Sequence, residues 1–442
     1  MQTSQKGGLY GFAMLCFIFF FVYLHRVSMA VLAPDLTHDF STTATELGIL
    51  SSMYFYAYAL MQIPSGLLID SIGPRKTVTF FTTLTGVGAL LFGLSQTLLM
   101  ASMARLIIGI GVSVIFVATV KILARWFRPD EVSSYFGIFI LVGNLGAIGA
   151  AAPLAFITLK LGWRFTFDIL AIIAVIQAGL ACKLIRDAPK KKAEPPQTRN
   201  HKIQQNKTYR ESPPRHLPQR VWFKTIIKDR LITKLAAMIF VTYGTLIAFQ
   251  GLWGVPYFMH VYQLTKDEAS QFITIIAVGF CIGAPFFGYL SDKIFRARKP
   301  IVCAGVLLYT LMWLPLAFKT TNLPKSLLFA LCFGLGFFHG TIPNSISMIK
   351  ETVDEETVGL AVGYMNIYPI IGIAVFQPLI GWILDSVSST SSIGSKSSLI
   401  ALGYSQAFQF CLFCLVIASI LSFTLRETFI KSKGSSASIS DI

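Results

Sequence analysis

This 442-residue chain should fold as an all-α polytopic membrane protein: twelve transmembrane helices in two pseudo-symmetric six-helix bundles. Three observations carry that expectation. Hydrophobic residues make up 54% of the chain and charged residues 13%, with a mean hydropathy of +0.65, where a soluble protein would carry about a quarter charged. The apolar residues come in unbroken blocks of about 20, the length that spans a bilayer. One short loop is written twice, 222 residues apart, which is close to half the chain. A duplicated membrane domain explains that spacing and points to a transporter built from two halves.

The first six blocks fall at residues 10–34, 46–69, 77–95, 98–122, 132–157 and 163–185. The second six fall at 232–258, 268–291, 300–318, 325–349, 358–384 and 400–425. The first block is too long for a signal-peptide core and lacks a small-residue cleavage site, so it counts as a helix. Between the sets, residues 187–230 mix six prolines with Lys190, Lys191, Lys192 and many polar residues. That composition predicts a flexible cytoplasmic linker, with an interfacial helix over 221–234 placing Trp222 and Phe223 inward. The divisions are therefore 1–186 for the amino-terminal bundle, 187–230 for the linker, 231–430 for the carboxy-terminal bundle and 431–442 for a disordered cytoplasmic tail. The Ser-rich stretch 386–398 reads as a mobile outer loop.

A formal net charge of +16 would suit a nucleic-acid partner, but its distribution argues for topology. Of the 37 Lys and Arg residues, Arg26, Arg105 and Lys121 fall inside apolar blocks, and Lys160, Arg164, Lys266, Lys319, Lys325 and Lys396 fall on one side. The other 28 lie on the side of both termini. The positive-inside rule makes that side cytoplasmic, with contact to anionic membrane lipid and no nucleic acid. A plasma or bacterial inner membrane fits. All seven cysteines lie in or beside apolar segments, which excludes a disulfide framework. Cys411 and Cys414 read as small buried thiols rather than a metal or redox site.

The twinned loop reads Gly66-Leu-Leu-Ile-Asp70-Ser-Ile-Gly73-Pro-Arg75-Lys76 and Gly288-Tyr-Leu-Ser-Asp292-Lys-Ile-Phe-Arg296-Ala-Arg298-Lys299. At the same offset Pro34 falls on Pro256, His38 on His260, Glu46 on Glu268, Gly137 on Gly359 and Asn144 on Asn366. Arg105, Gly109 and Gly111 follow in the fourth block, Gly143, Gly146, Gly149 and Pro153 in the fifth, and Gly162-Trp163-Arg164 before the sixth. Five motifs in this order on twelve helices resemble the major facilitator superfamily over the whole chain apart from linker and tail. The resemblance implies its fold and a gating role for Gly66, Asp70, Gly73, Arg75 and Lys76 and for Gly288, Asp292 and Arg298. In that family the loop carboxylate meets a neighbouring helix terminus and basic side chains, latching the halves on the cytoplasmic side. A carboxylate at a helix amino terminus contributes roughly 0.3–1 kcal/mol, small enough for a latch broken in every cycle. The bland alternative is a tight turn carrying topology-setting charge. The glycines at 143, 146 and 149 make one smooth helix face, either a sliding contact between halves or static packing.

Charges inside a membrane are costly and by default functional. Arg26 and Arg105 both fall in the outer half of the bilayer, on helices that line the central cavity in the superfamily. Their planar forks of donors suit a carboxylate or phosphate; alternatively each bonds backbone carbonyls nearby. The segment from His25 to Pro34 is similar to the first helix of the organic anion:cation symporters, with His25 where those proteins usually carry an acid. The run 112–119 also lacks their further carboxylate. His25, His339 or Asp168 is left to carry a proton, although Asp168 stands one turn from Arg164 as a structural ion pair. The seventh block lacks the basic residue of organophosphate antiporters and offers Gln250, Trp253 and Tyr257 instead. With His339, Asn344 and Asn366 these form a mostly neutral wall. Lys121 snorkels.

The resulting expectation is a monomeric secondary active transporter, not an enzyme. It should move a small organic anion or zwitterion (a carboxylate, sugar acid, peptide or carboxylate siderophore) by alternating access, as proton-coupled import. No catalytic set, metal cluster, cofactor motif or ATP-binding loop is present in the sequence. Competing readings are a drug or metabolite exporter, which typically has a Gly-Pro step where Ala152-Pro153 stands, and a transporter-like sensor signalling through the linker.

Overall fold

The computed structural model describes residues 2–187, 229–353, 355–390 and 396–429. Among them the regular structure is helix throughout, grouped into twelve rods. The first rod joins α1 (Gln2–Val27) to α2 (Met29–Phe40); the next two are α3 (Ala44–Ile72) and α4 (Pro74–Gly93). The fourth joins α5 (Leu98–Val112) to α6 (Val114–Trp126), the fifth α7 (Pro129–Gly149) to α8 (Ala152–Leu161), and the sixth is α9 (Trp163–Leu184). In the second half α10 (Arg230–Ala248) runs through a π-turn, Phe249–Trp253, into α11 (Gly254–Tyr262). α12 (Lys266–Tyr289) ends in another π-turn, Leu290–Ile294. Then come α13 (Lys299–Phe318), α14 (Lys325–His339) with α15 (Pro343–Lys350), α16 (Glu355–Thr390) and α17 (Lys396–Phe423).

Nine rods are long and apolar enough to cross a membrane, and the fifth, bent by 41°, makes ten. The remaining two, α3 and α4, are long but more polar. α3 carries Tyr54, Tyr56, Tyr58 and Gln62, and α4 has five threonines. Four of those threonines return their hydroxyls to the carbonyl one turn back: Thr77, Thr79, Thr83 and Thr85, at 2.8, 2.9, 3.0 and 3.1 Å. A hydroxyl satisfied in that way can face an apolar environment. The serines at the end of α16 do the same, Ser386 to Trp382 at 2.7 Å and Ser388 to Leu384 at 2.9 Å. Residues 386–390 are thus helix, not the mobile loop their composition suggested. Most of the linker, the 221–228 part of the expected interfacial helix and the 431–442 tail lie outside the described residues.

The duplication is legible in the backbone as well as the sequence. Thr43 and Glu46 form a capping box at the start of α3, and Thr265 and Glu268, 222 residues on, form one at the start of α12. Each box satisfies two orphan backbone donors reciprocally. Just before them Ser41 and Gln263 both take left-handed conformations, with φ 48° and 53°. The first rod is interrupted at Ser28 and the seventh at the equivalent π-turn.

Both loop motifs and the ends of both halves lie at one end of the bundle, the near end. There Trp126 Nε1 donates to the Arg186 carbonyl at 3.2 Å, and Lys234 Nζ to the Thr424 carbonyl at 3.1 Å. The opposite, far end is where the halves are joined. Asp385 of α16 accepts from the Ala44 and Thr45 amides at 3.0 and 2.7 Å and from Thr45 Oγ1 at 2.5 Å. Its carboxylate therefore caps the amino terminus of α3, where orphan N–H groups and the helix dipole favour negative charge. Lys266 Nζ lies 2.5 Å from Asp35 Oδ2, also across the seam. α3 and α16 run so close that a Cβ at Gly48 would stand 2.6 Å from Pro378 Cα. Midway, Tyr56 donates to the Ala374 carbonyl at 2.9 Å.

The small-residue face of α7 packs elsewhere. Gly143, Gly146 and Gly149 all press on α1, against Phe19, Phe20 and Tyr23 of the same half. It is a packing contact within the first bundle; the sliding surface between halves considered from sequence is not formed there.

Candidate functional site

Arg26 sits in the last turn of α1, where the rod is interrupted at Ser28. The His25 carbonyl, at that interruption, accepts from Ser28 Oγ at 3.2 Å and from Arg105 Nη1 at 2.9 Å. The two intramembrane arginines therefore part company. Arg105 is fully buried, serves the backbone of α1 and lies 4.9 Å over the Tyr54 ring. Arg26 points the other way, into a cavity between the halves.

Six polar side chains line that cavity: Tyr23 and Arg26 of α1, Asn144 of α7, Tyr243 of α10, Gln250 of the π-turn and His339 of α14. Arg26 is 5% exposed and has no carboxylate partner among the described residues. Its guanidinium lies 4.5 Å from the Tyr23 ring centre and 5.6 Å from that of Tyr58. Aromatic faces stabilise a cation without consuming its N–H donors. A buried charge needs a partner, and no Asp or Glu among the residues lining this cavity supplies one. His339 is enclosed by Tyr243, Phe280 and Tyr309, with ring centres at 4.8, 5.9 and 5.6 Å, and neither ring nitrogen has a hydrogen bond among the described residues. The π-turn displaces Gln250 from a regular helical register, as such bulges often do at functional sites.

The other residues singled out from sequence lie away from this cavity. His25 lines a separate small space with Thr82, Thr85 and Gln177. Trp253 donates to the Gln377 carbonyl at 2.9 Å, and Tyr257 to the Thr320 carbonyl at 2.8 Å. Asn344 bonds the Thr341 carbonyl at 3.2 Å. Asn366 meets Gln62 across the seam at 3.5 Å. The expected Asp168–Arg164 ion pair is absent. Arg164 pairs with Asp39, which also accepts from Trp163 Nε1 at 2.9 Å, while Asp168 packs against Gly93. The geometric reason is reach: Arg164 opens α9 at the far end beside the end of α2, and its fork turns outward to that carboxylate. Tyr23, Tyr243 and Asn144 were not proposed as site residues. Tyr23, three residues before Arg26, shares its helix face, and Asn144 was visible as the repeat partner of Asn366.

The gating motifs stay within their own halves. Asp70 takes Lys121 of α6 at 2.5 Å, and the same Nζ donates to the Ile69 carbonyl at 2.8 Å. Lys121 is therefore tied to the motif rather than snorkelling freely. Gly73, with φ 91°, makes a turn that only glycine enters readily. Asp187 fills the space beside it, and accepts from the Arg75 amide at 2.8 Å. Arg75 Nε reaches the Cys182 carbonyl at 2.6 Å, and Lys76 is exposed. In the second copy Arg298 gathers Asp292, Glu351 and Ser291, and its amide donates to Glu427 at 2.9 Å. Burial alone would raise the Glu427 carboxyl, but backbone donors from Arg298, Phe429, Thr428 and Lys299 hold it below the usual range. Where the second glycine is lost, Arg296 takes the left-handed conformation at φ 46°. Gly66 and Gly288 face open space, with nothing within 4 Å of an added Cβ.

Comparison with known proteins gives the same architecture a family. A hexuronate transporter of Bacillus subtilis is 25% identical over 84% of this chain and 86% of its own. The probable galactarate/D-glucarate transporter GarP of Escherichia coli is 23% identical over 96% and 98%. A bacterial homologue of the human lysosomal transporter Spinster, solved inward-facing and unoccupied, superposes with a TM-score of 0.73 at 17% identity, covering 94% of this chain and 96% of that one. These relatives and neighbours are membrane transporters, not enzymes. The Major Facilitator Superfamily profile matches residues 15–263 and 235–439, so both repeats and the cavity between them fall inside it, and the chain belongs to that superfamily of multi-pass transporters.

Proposed function

We propose that the protein is a secondary active transporter for a small organic anion, with Arg26 as the residue that binds the anionic group. The observation that carries this reading is a buried guanidinium, unpaired with any carboxylate among the described residues, in a cavity that both halves line. The likeness to transporters named for hexuronate and galactarate/D-glucarate supports sugar acids as the first substrates to try. The halves rock about this cavity by alternating access, with both termini cytoplasmic in a plasma or bacterial inner membrane. Import is coupled to protons through His339, the histidine that lines the cavity beside Arg26. In proteoliposomes, Arg26→Ala should abolish uptake of labelled sugar acids while the purified variant elutes and melts as a folded protein. Full uptake by that variant would overturn the anion site. His339→Gln should keep counterflow exchange but lose uptake driven by an imposed pH gradient.

A further inference from the structure

The cavity carries one positive charge. Arg105, the other intramembrane arginine of the first half, is turned to the His25 carbonyl and lies outside the cavity. No Asp, Glu or Lys lines it among the described residues. The remaining polar groups are neutral donors and acceptors: the phenols of Tyr23 and Tyr243, the amides of Asn144 and Gln250, and the imidazole of His339.

A guanidinium offers a planar fork that fits one carboxylate edge-on. The Tyr23 and Tyr58 ring centres lie 4.5 and 5.6 Å from that of Arg26, which has no carboxylate partner among the described residues. One bound carboxylate makes the filled site electrically neutral. With His339 unprotonated, a second carboxylate would enter a low-dielectric space with no cation to meet it, and an unpaired buried charge is strongly disfavoured. Hydroxyl groups, by contrast, find the amides, phenols and imidazole that a neutral wall supplies. His339, neither of whose ring nitrogens has a hydrogen bond among the described residues, would otherwise be left unpaired, so a substrate lacking hydroxyls is disfavoured as well.

We propose that the cavity selects monoanions bearing several neutral hydroxyls, one carboxylate on Arg26 and the hydroxyls on the Gln250–His339 wall, over dianions of the same size. This rests on the anion-site reading above and adds a charge count to it. It also divides the sugar acids by chemistry, placing a hexuronate-like acid ahead of an aldarate-like one.

The test is binding to the purified full-length transporter at neutral pH, by calorimetry, with three probes sharing one carbon skeleton: glucuronate, glucarate and glucose. Glucuronate should bind at least tenfold more tightly than glucarate, and glucose more weakly than either. Gln250→Ala should weaken glucuronate several-fold, with an unchanged melting curve as the folding control. Glucarate binding as tightly as glucuronate overturns the charge count and leaves the Arg26 anion site standing. Glucose binding as tightly as glucuronate, in wild type and in Arg26→Lys alike, overturns the anion site itself. Binding of neither acid overturns the hydroxy-acid assignment.

Discussion

The two ends of the bundle are held together by different kinds of contact. At the far end polar contacts run between halves, Asp385 on the first turn of α3 and Lys266 on Asp35, as well as within them, as Arg164 on Asp39 does. At the near end they run within halves: Asp70 with Lys121, Arg75 with Asp187, and Arg298 with Asp292, Glu351 and Glu427. The ionic ties across the seam lie at the far end, and the neutral contacts Tyr56–Ala374 and Asn366–Gln62 cross it farther along. The far contacts are placed to bias the spacing of the two halves, and the near contacts to hold each half together. The loop motif, whose resemblance implied a latch between halves, is in this structure an internal brace.

That contrast can be broken in order of expected effect. Arg298→Ala should cost the most stability, about 3 kcal/mol, because it leaves Asp292 and Glu351 without their shared cation. Its signature is a lower melting temperature with an unchanged separation between halves. Spin labels at His38 and Ser388, one in each half at the far end, would report that separation, and a large change in Arg298→Ala would sink the assignment of this cluster to a single half. Asp385→Ala should do the converse. A carboxylate on a helix amino terminus contributes about 0.3–1 kcal/mol, and up to about 2 when partly buried, so the open far-end population should rise by roughly 2- to 30-fold. A distance distribution identical to wild type would deny Asp385 its role in the seam. Asp70→Asn should matter least to stability, below about 1 kcal/mol, since its carboxylate is 75% exposed.

Acid offers a further test of the near end. Glu427 is held below its ordinary value of 4.5, so its contribution is complete above that pH. The contribution is lost as pH falls through the lower folded value. Wild type should therefore melt earlier below about pH 4.5, and Glu427→Gln should lose part of that dependence. An identical acid slope in the variant would remove Glu427 from the account.

The fold was readable because membrane spans are written as long apolar blocks and the duplication as a fixed offset. All twelve blocks became helical rods, and the repeat reached details such as the paired capping boxes at Thr43 and Thr265. The site was readable only in part. Arg26 stood out because a charge in an apolar block is rare, but so did Arg105, and composition cannot say which face of a helix a side chain takes. That choice is made by the interruption at Ser28, which presents a carbonyl to Arg105 and turns Arg26 away from it. Trp253 and Tyr257 were drawn to backbone carbonyls for the same reason: a buried indole or phenol bonds the nearest acceptor. Asp70's partner was missed because Lys121 is 51 residues distant in the chain, and only packing brings them to one depth.

The clamps on Asp187 and Asp229 have a consequence for how the chain can be divided. Asp187 is fastened to the Gly73 turn and to Arg75, and its carbonyl accepts from Arg125 at 3.1 Å. Asp229 caps α10 through the Leu231 and Ile232 amides at 2.8 and 3.1 Å. The polypeptide leaves one bundle and enters the other at two points that are each anchored locally. A chain severed between residues 188 and 228 loses none of the contacts described here, so two separately synthesised fragments hold the surfaces they need to find each other and assemble.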